Sequence, residues 1–349
     1  MESEVDQSPG AQDEPIRAIL DTNQWVSSSM LRSPGGDALL YAIIRTRASL
    51  CLPEIVETEI AARATDVANE AAEVAQRKLL QVQRFLGKPI GADLPCRDEI
   101  MRAIEERIRG LGPMIERVPL SLGHTRRALA RVVAGHPPSN SKHEEFRDAA
   151  IWEAAIECAR NGRVLFVTSD KGFFEERTPS KGLAQLLLDE VETLGLRLEV
   201  FPDVMRCAAR LGEEAPRMNV RILRIELAKA TRAQVRHAAN QRRFSLGRAT
   251  VCELVYAPTD SPPELAVDFS IVHKLRDLSS GADQERLSAQ VVARGECIYN
   301  SDSHDITDVE FSVMEFSWVD PDGERRVART HFANLTVEAS TSLAMEKDQ

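Results

Sequence analysis

The chain has 349 residues, 43% apolar, 28% charged and 5% aromatic. This is a globular composition, which excludes collagen-like, disordered and disulfide-dense classes, and the length suits about two domains. The formal net charge of −10 argues against a protein that coats nucleic acid irrespective of sequence, but not against a nuclease, whose pocket can itself be acidic.

Residues 1–14 hold Glu2, Glu4, Asp6, Asp13 and Glu14 around no apolar core. They read as a disordered lead-in and as neither a secretory signal nor a transit peptide. Residues 16–20 form a short apolar run, long enough for one buried strand, ending in Asp21-Thr22-Asn23, residue types that favour turns and helix caps. A second strand is predicted at 49–52, stopped by Pro53. An Ala-, Glu- and Gln-rich helix follows over 54–86, halted by Gly87 and Pro89, and another over 97–109. Residues 114–120 are a weaker strand candidate. A third helix spans 143–160, halted by Asn161 and Gly162. The run RVLFVT at 163–168 is the clearest strand, unbroken in the manner of parallel sheets, and LRLEVF at 196–201 is the last of this half. Strands alternating with helices imply a parallel sheet covered on both faces.

After about residue 215 the pattern changes. Residues 250–257, 264–273, 287–298, 309–318 and 326–337 alternate apolar and polar with period two. Turn residues separate them at 261–263, 279–281, 301–303 and 320–323. A mainly antiparallel β domain is expected over 215–349, with 218–243 open to either helix or strand. Charge is uneven: residues 217–248 carry nine Lys and Arg against Glu226 alone, whereas 249–349 carry 8 against 19 acids. The basic strip could guide RNA, be a solvated face, or dock against the acidic segment. Cys51, Cys96, Cys158, Cys207, Cys252 and Cys297 show neither CxxC nor zinc spacing; they read as buried, reduced thiols of a cytoplasmic protein. No run reaches the roughly 18 apolar residues of a membrane helix.

Four carboxylates sit where chemistry could gather. Asp21 and Asp170 each directly follow a strand of the parallel half, and ligands of open parallel sheets bind outside the carboxyl ends of strands, where strand order reverses. Asp148 shares a helical stripe with Trp152, Ala155 and Ala159, the apolar side; Glu153, Glu157 and Arg160 form the polar side. A carboxylate on a buried face must be hydrogen-bonded, protonated or metal-bound. Glu59 lies in the first turns of the helix after the second strand. Taken singly, each has an ordinary alternative: a cap for Asp21, a turn for Asp170, a surface position for Glu59, an arginine pair for Asp148. Converging carboxylates with no Cys or His among them favour Mg²⁺ or Mn²⁺, and such a site suits phosphodiester hydrolysis.

The pieces AILDTN (18–23), LPEIVETEI (52–60), FRDAAIW (146–152) and VTSDKGFF (167–174) resemble the PIN-domain family of metal-dependent ribonucleases, in the family's order over about 15–205. The resemblance implies a three-layer α/β/α fold over 15–214, with a parallel sheet and a helical insertion at about 61–135. It assigns Asp21, Glu59, Asp148 and Asp170 as the catalytic and metal-holding acids, with Asn23 supporting the first. It implies a divalent-metal endoribonuclease leaving 5′-phosphate and 3′-hydroxyl ends. Arg147 and Lys142, beside Asp148, could meet substrate phosphates. Many relatives carry a further acid at the position of Gly172, which motivates the alternative of a catalytically weak or inactive RNA-binding scaffold. A DNA nuclease or another α/β phosphatase is a weaker reading; haloacid-dehalogenase enzymes want Asp-x-Asp, which Asp21-Thr22-Asn23 does not supply. RNA, a protein inhibitor or antitoxin, and a second copy of the chain are the partners the resemblance implies.

Overall fold

A computed structural model describes residues 14–140, 143–212, 218–277, 289–319, 323–331 and 337–342. The first half runs β1 (Ile16–Leu20), α1 (Thr22–Ser27), α2 (Pro34–Thr46), β2 (Ser49–Pro53), α3 (Glu54–Leu86), α4 (Arg97–Gly110) and β3 (Ile115–Val118). It continues with α5 (Leu122–Ala134), α6 (Phe146–Ala159), β4 (Arg163–Val167), α7 (Gln185–Thr193), β5 (Arg197–Phe201) and α8 (Val204–Leu211). Then come α9 (Val220–Gln241), β6 (Phe244–Pro258), β7 (Glu264–Asp277), β8 (Gln290–Asn300), β9 (Ile306–Val319), β10 (Arg325–His331) and β11 (Val337–Ser342). Among the described residues no helix is long and apolar enough to cross a membrane.

The chain forms two compact units that interleave in sequence. One takes residues 1–21, 47–57 and 113–202; the other takes 22–46, 58–112 and 203–349.

The first unit is built on a five-stranded sheet in the order β3-β2-β1-β4-β5, parallel throughout. Its centre is made by the two most apolar runs. Ala18, Ile19 and Leu20 of β1 and Val164 to Val167 of β4 are fully buried, as a strand covered on both faces requires. The order turns at β1: β2 and β3 extend to one side, β4 and β5 to the other. α5 starts under a Ser121 cap that accepts from the His124 amide, and ends at Gly135 with φ 64°. It packs on α6 through Ala128, Ala149 and Ala150. α6 is buried nearly all round, its polar side included at Glu153. Glu153 is 3% exposed, with Arg127 at 2.6 Å and Arg131 at 3.0 Å. Arg131 also meets Glu190 at 2.8 Å, and the Trp152 Nε1 donates to Glu190 at 2.9 Å. A buried carboxylate is tolerable only when so paired.

The second unit holds a six-stranded antiparallel meander, β6 to β11 in sequential order. The segment open to helix or strand is helical. Asn219 caps the Arg221 and Ile222 amides, and Leu223, Leu227, Thr231, Val235 and Ala239, four residues apart, are its buried line. These pack on Leu265, Val267, Ile271, Leu275, Val291 and Phe316 of the sheet. The expected strand at 326–337 is instead divided between β10 and β11, which pair antiparallel; residues 332–336 and the turns at 279–281 and 320–322 lie outside the described residues. α2 joins this unit, packing on α8, β7 and β8, and the Gly35 amide at its start donates to Glu296 Oε2 of β8 at 2.8 Å. The thiol expectation also needs correction: Cys51, Cys158, Cys207 and Cys297 are buried, but Cys96 and Cys252 are exposed.

Candidate functional site

Asp21 and Asp170 stand at the carboxyl ends of β1 and β4, the adjacent strands between which the sheet order reverses. Parallel pairing sets this up: Leu20 is in register with Val167, and the Asp21 amide donates to the Val167 carbonyl at 3.0 Å. The next residue of β4's run, Thr168, is fully buried. Its hydroxyl donates to Asp21 Oδ2 and accepts from the Asp170 amide at 3.0 Å. One hydroxyl therefore connects both acid positions. Asp21 is 4% exposed; Asp170 is half-buried, and its Oδ1 accepts from the Gly172 amide at 2.6 Å, closing a tight turn.

Asp148 lies half-buried in the first turn of α6. The helix is fixed to β4 and to the turn after it by three mutually packed rings. Trp152 meets Phe166 at 6.2 Å and Phe173 at 6.1 Å, and Phe166 meets Phe173 edge-on at 5.1 Å. The rings thereby tie the helix that carries Asp148 to the turn that carries Asp170. Glu59, half-buried on α3 in the second unit, accepts from the Thr22 hydroxyl at 2.9 Å. Asn23 and Arg147 are exposed, and Lys142 lies outside the described residues.

Gly172, where an acid could have stood, is closed to any side chain. A Cβ there would lie 2.6 Å from the Pro138 carbonyl and 2.9 Å from Asp170 Oδ1. The nearby acids are engaged otherwise: Glu175 accepts from the Gln185 amide at 3.0 Å and Glu176 pairs with Lys181. Beside this turn opens a groove of ≈ 440 Å³ between Pro137 to Asn140 and His143 on one side and Phe174 to Arg177 on the other.

Among the described residues no three of His, Cys, Asp and Glu are gathered as metal ligands. The Thr168 hydroxyl joins the Asp21 carboxylate to the Asp170 backbone amide, and the side chains of Asp21 and Asp170 offer only hard oxygens. That set fits Mg²⁺ or Mn²⁺, since Mg²⁺ is commonly held by one or two carboxylates, with waters and substrate phosphates completing the shell. Sequence reasoning missed Thr168. Its signal was a hydroxyl residue between an apolar strand and the acid.

Residues 19–173 match the family described as PIN domain. No curated protein and no solved structure matches the chain. PIN domains are generally nucleases and typically use divalent metals. The chain therefore carries a PIN domain over residues 19–173, a nuclease-type fold built on the parallel sheet of the first unit.

Proposed function

We propose that the protein is a divalent-metal-dependent endoribonuclease. The observation that carries the reading is the Thr168 hydroxyl that donates to the Asp21 carboxylate and accepts the Asp170 backbone amide, holding the two acid-bearing strand ends together at the reversal of strand order. Asp21, Asp148 and Asp170 would hold Mg²⁺ or Mn²⁺; Glu59 joins them on the family frame alone. When bound, the ion lowers the pKa of a water and offsets charge on the phosphodiester. Thr168 orients Asp21 by hydrogen bonding, and Arg147 and Lys142 meet substrate phosphates. The exposed Arg221, Arg224, Lys229, Arg232 and Arg236 of α9 add affinity for the backbone without reading sequence. The reading includes a cytoplasmic enzyme, and an inhibitor protein and a second copy of the chain as partners, each detectable as a mass change on size exclusion.

One observation favours the scaffold reading instead: the described carboxylates form no group of three. Defined RNA incubated with the full chain in Mg²⁺, Mn²⁺ and EDTA separates the two. Metal-dependent cleavage that Asp148→Asn abolishes, with the fold kept by circular dichroism, supports the enzyme. Binding without cleavage in either metal supports the scaffold. Matched RNA and DNA oligomers test the polymer, because the 2′-hydroxyl is the discriminating group.

A further inference from the structure

The groove beside the Asp170 turn has two walls, each braced from behind. On one side Arg131, itself held by Glu153 and Glu190, donates from Nη1 to the Pro137 carbonyl at 3.2 Å. The buried Ser139 hydroxyl accepts the amide of Glu145, the residue before α6, at 3.0 Å. Asn140 and His143 pair through their backbones, and Asn140 Oδ1 accepts the His143 amide at 3.1 Å. On the other side the Glu175 amide donates to the Gly182 carbonyl at 3.0 Å and the Ala184 amide to the Phe173 carbonyl at 2.9 Å. The walls meet at Gly172, which admits the Pro138 carbonyl and whose amide holds Asp170 Oδ1. The groove is therefore preformed, and it runs from the turn that carries Asp170 to the lead-in of the helix that carries Asp148.

Its lining has two characters. Pro138, Phe174 and Ala184 are buried and make an apolar floor, whereas His143 and Arg177 stand exposed at the rim. Its ≈ 440 Å³ lies in the range of small-molecule sites, which are mostly apolar with a few placed polar groups. Glu176 and Arg177 have φ of 48° and 55°, a conformation that non-glycine residues rarely take and that clusters at ligand clamps. Glu176 is paired with Lys181; among the described residues no carboxylate pairs with Arg177. A nucleotide matches this lining part by part. Its base has a flat apolar face for the floor and a polar edge for Asn140 and His143, and its phosphate suits the forked guanidinium of Arg177.

We propose that the groove is a subsite for one nucleotide adjoining the scissile phosphate, with Arg177 as its phosphate contact; this rests on the nuclease reading above and adds to it the part of the RNA that sets which bond reaches Asp21 and Asp170. The base packs against Pro138 and Phe174, and the backbone continues over the Asp170 turn.

The test reads binding apart from cleavage. A short RNA carrying one 4-thiouridine, moved position by position, is bound to the full chain in EDTA, irradiated, and the cross-link mapped by peptide mass. One position should link to residues 137–140 or 174–177, and an abasic nucleotide at that position should weaken binding about tenfold, the loss of one base contact. Arg177→Gly keeps the left-handed turn and removes the guanidinium. It should weaken binding about tenfold and make the plot of log affinity against log salt shallower by about 0.7, one phosphate contact on a single strand; Arg177→Lys should recover the slope. Absence of RNA binding, cross-links confined to other segments, or parent-like affinity and salt slope in Arg177→Gly overturns the subsite. Cleavage in Mg²⁺ or Mn²⁺ is scored separately. Cleavage alongside any of those results removes the subsite and leaves the enzyme, whereas cross-linking in the groove without cleavage removes the enzyme and leaves the subsite.

Discussion

The hydroxyl of Thr168, one residue past β4, donates a hydrogen bond to the carboxylate of Asp21, one residue past β1. Because the same oxygen accepts the Asp170 amide, a single side chain orients two loops that leave adjacent strands. Thr168→Val keeps the shape and removes both bonds. It should cost about 1–3 kcal/mol, the penalty of leaving a buried polar group unpaired, read as a lower midpoint in urea. Metal-dependent RNA cleavage should fall with it, and Thr168→Ser should restore most of both. Parent-like stability in the valine variant would show that water replaces the hydroxyl.

Gly172 admits the Pro138 carbonyl because it has no side chain. Gly172→Ala should destabilise the first unit by about 1–3 kcal/mol, as overpacking does, and Gly172→Asp should do so without strengthening Mn²⁺ binding by calorimetry. Unchanged melting of the alanine variant would mean that the 137–140 loop moves aside at no cost.

His273 is fully buried between the sheet and α9, with neither ring nitrogen in a well-formed hydrogen bond. Burial, followed by the positive charge of Arg232, lowers its pKa from 6.5 to about 4. The unfolded chain therefore binds the proton more tightly. The histidine's contribution is intact above pH 6.5 and lost as pH falls toward 4, up to about 3 kcal/mol in all. Asp268 works oppositely: burial, then the Asp203 carboxylate, raises it from 3.8 to about 7, so its contribution is present at low pH and lost as pH rises through 7. His273→Leu should flatten the acid limb of the stability profile, measured by urea titration from pH 4 to 8, and Asp268→Asn the neutral limb. An acid limb unaltered in the leucine variant would remove His273 as its source.

Arg232 and Arg236 are exposed on α9. Reversing both to glutamate should weaken single-stranded RNA binding and make the plot of log affinity against log salt shallower by about 1.4, at about 0.7 per phosphate contact. An unchanged slope would leave α9 with no part in holding RNA.

The parallel sheet was legible because its strands are short apolar runs bounded by turn residues, and α3 because a 33-residue segment rich in helix formers ends at glycine and proline. α2 was not legible. It opens with Pro34-Gly35-Gly36, which locally reads as a turn, and the carboxylate that receives its Gly35 amide belongs to Glu296, 261 residues away. Short α7 and α8 carried too little periodic signal. α9 was ambiguous because its basic residues break the apolar pattern, and the buried line every fourth position becomes evident only against the sheet. At the site, Asp21 and Asp170 followed from strand ends. Thr168 did not, since a hydroxyl's role depends on what lies across the neighbouring strand. Glu153 was placed on the polar side of its helix, but its burial was not legible because its partners Arg127 and Arg131 come from α5.

The clasp between Gly35 and Glu296 bears on how this gene product can be dissected. The stretch matched to the PIN family contributes α2 to the same compact body as the meander, where Leu39, Ala42 and Ile43 are buried. A chain cut after residue 212 would retain Asp21, Glu59, Asp148 and Asp170 yet strip α2 of the strands it packs on, leaving part of its apolar face in water. Failure of such a truncated nuclease to behave in solution would reflect a missing scaffold wall, and its silence in an RNA assay would say nothing about the chemistry at Asp21.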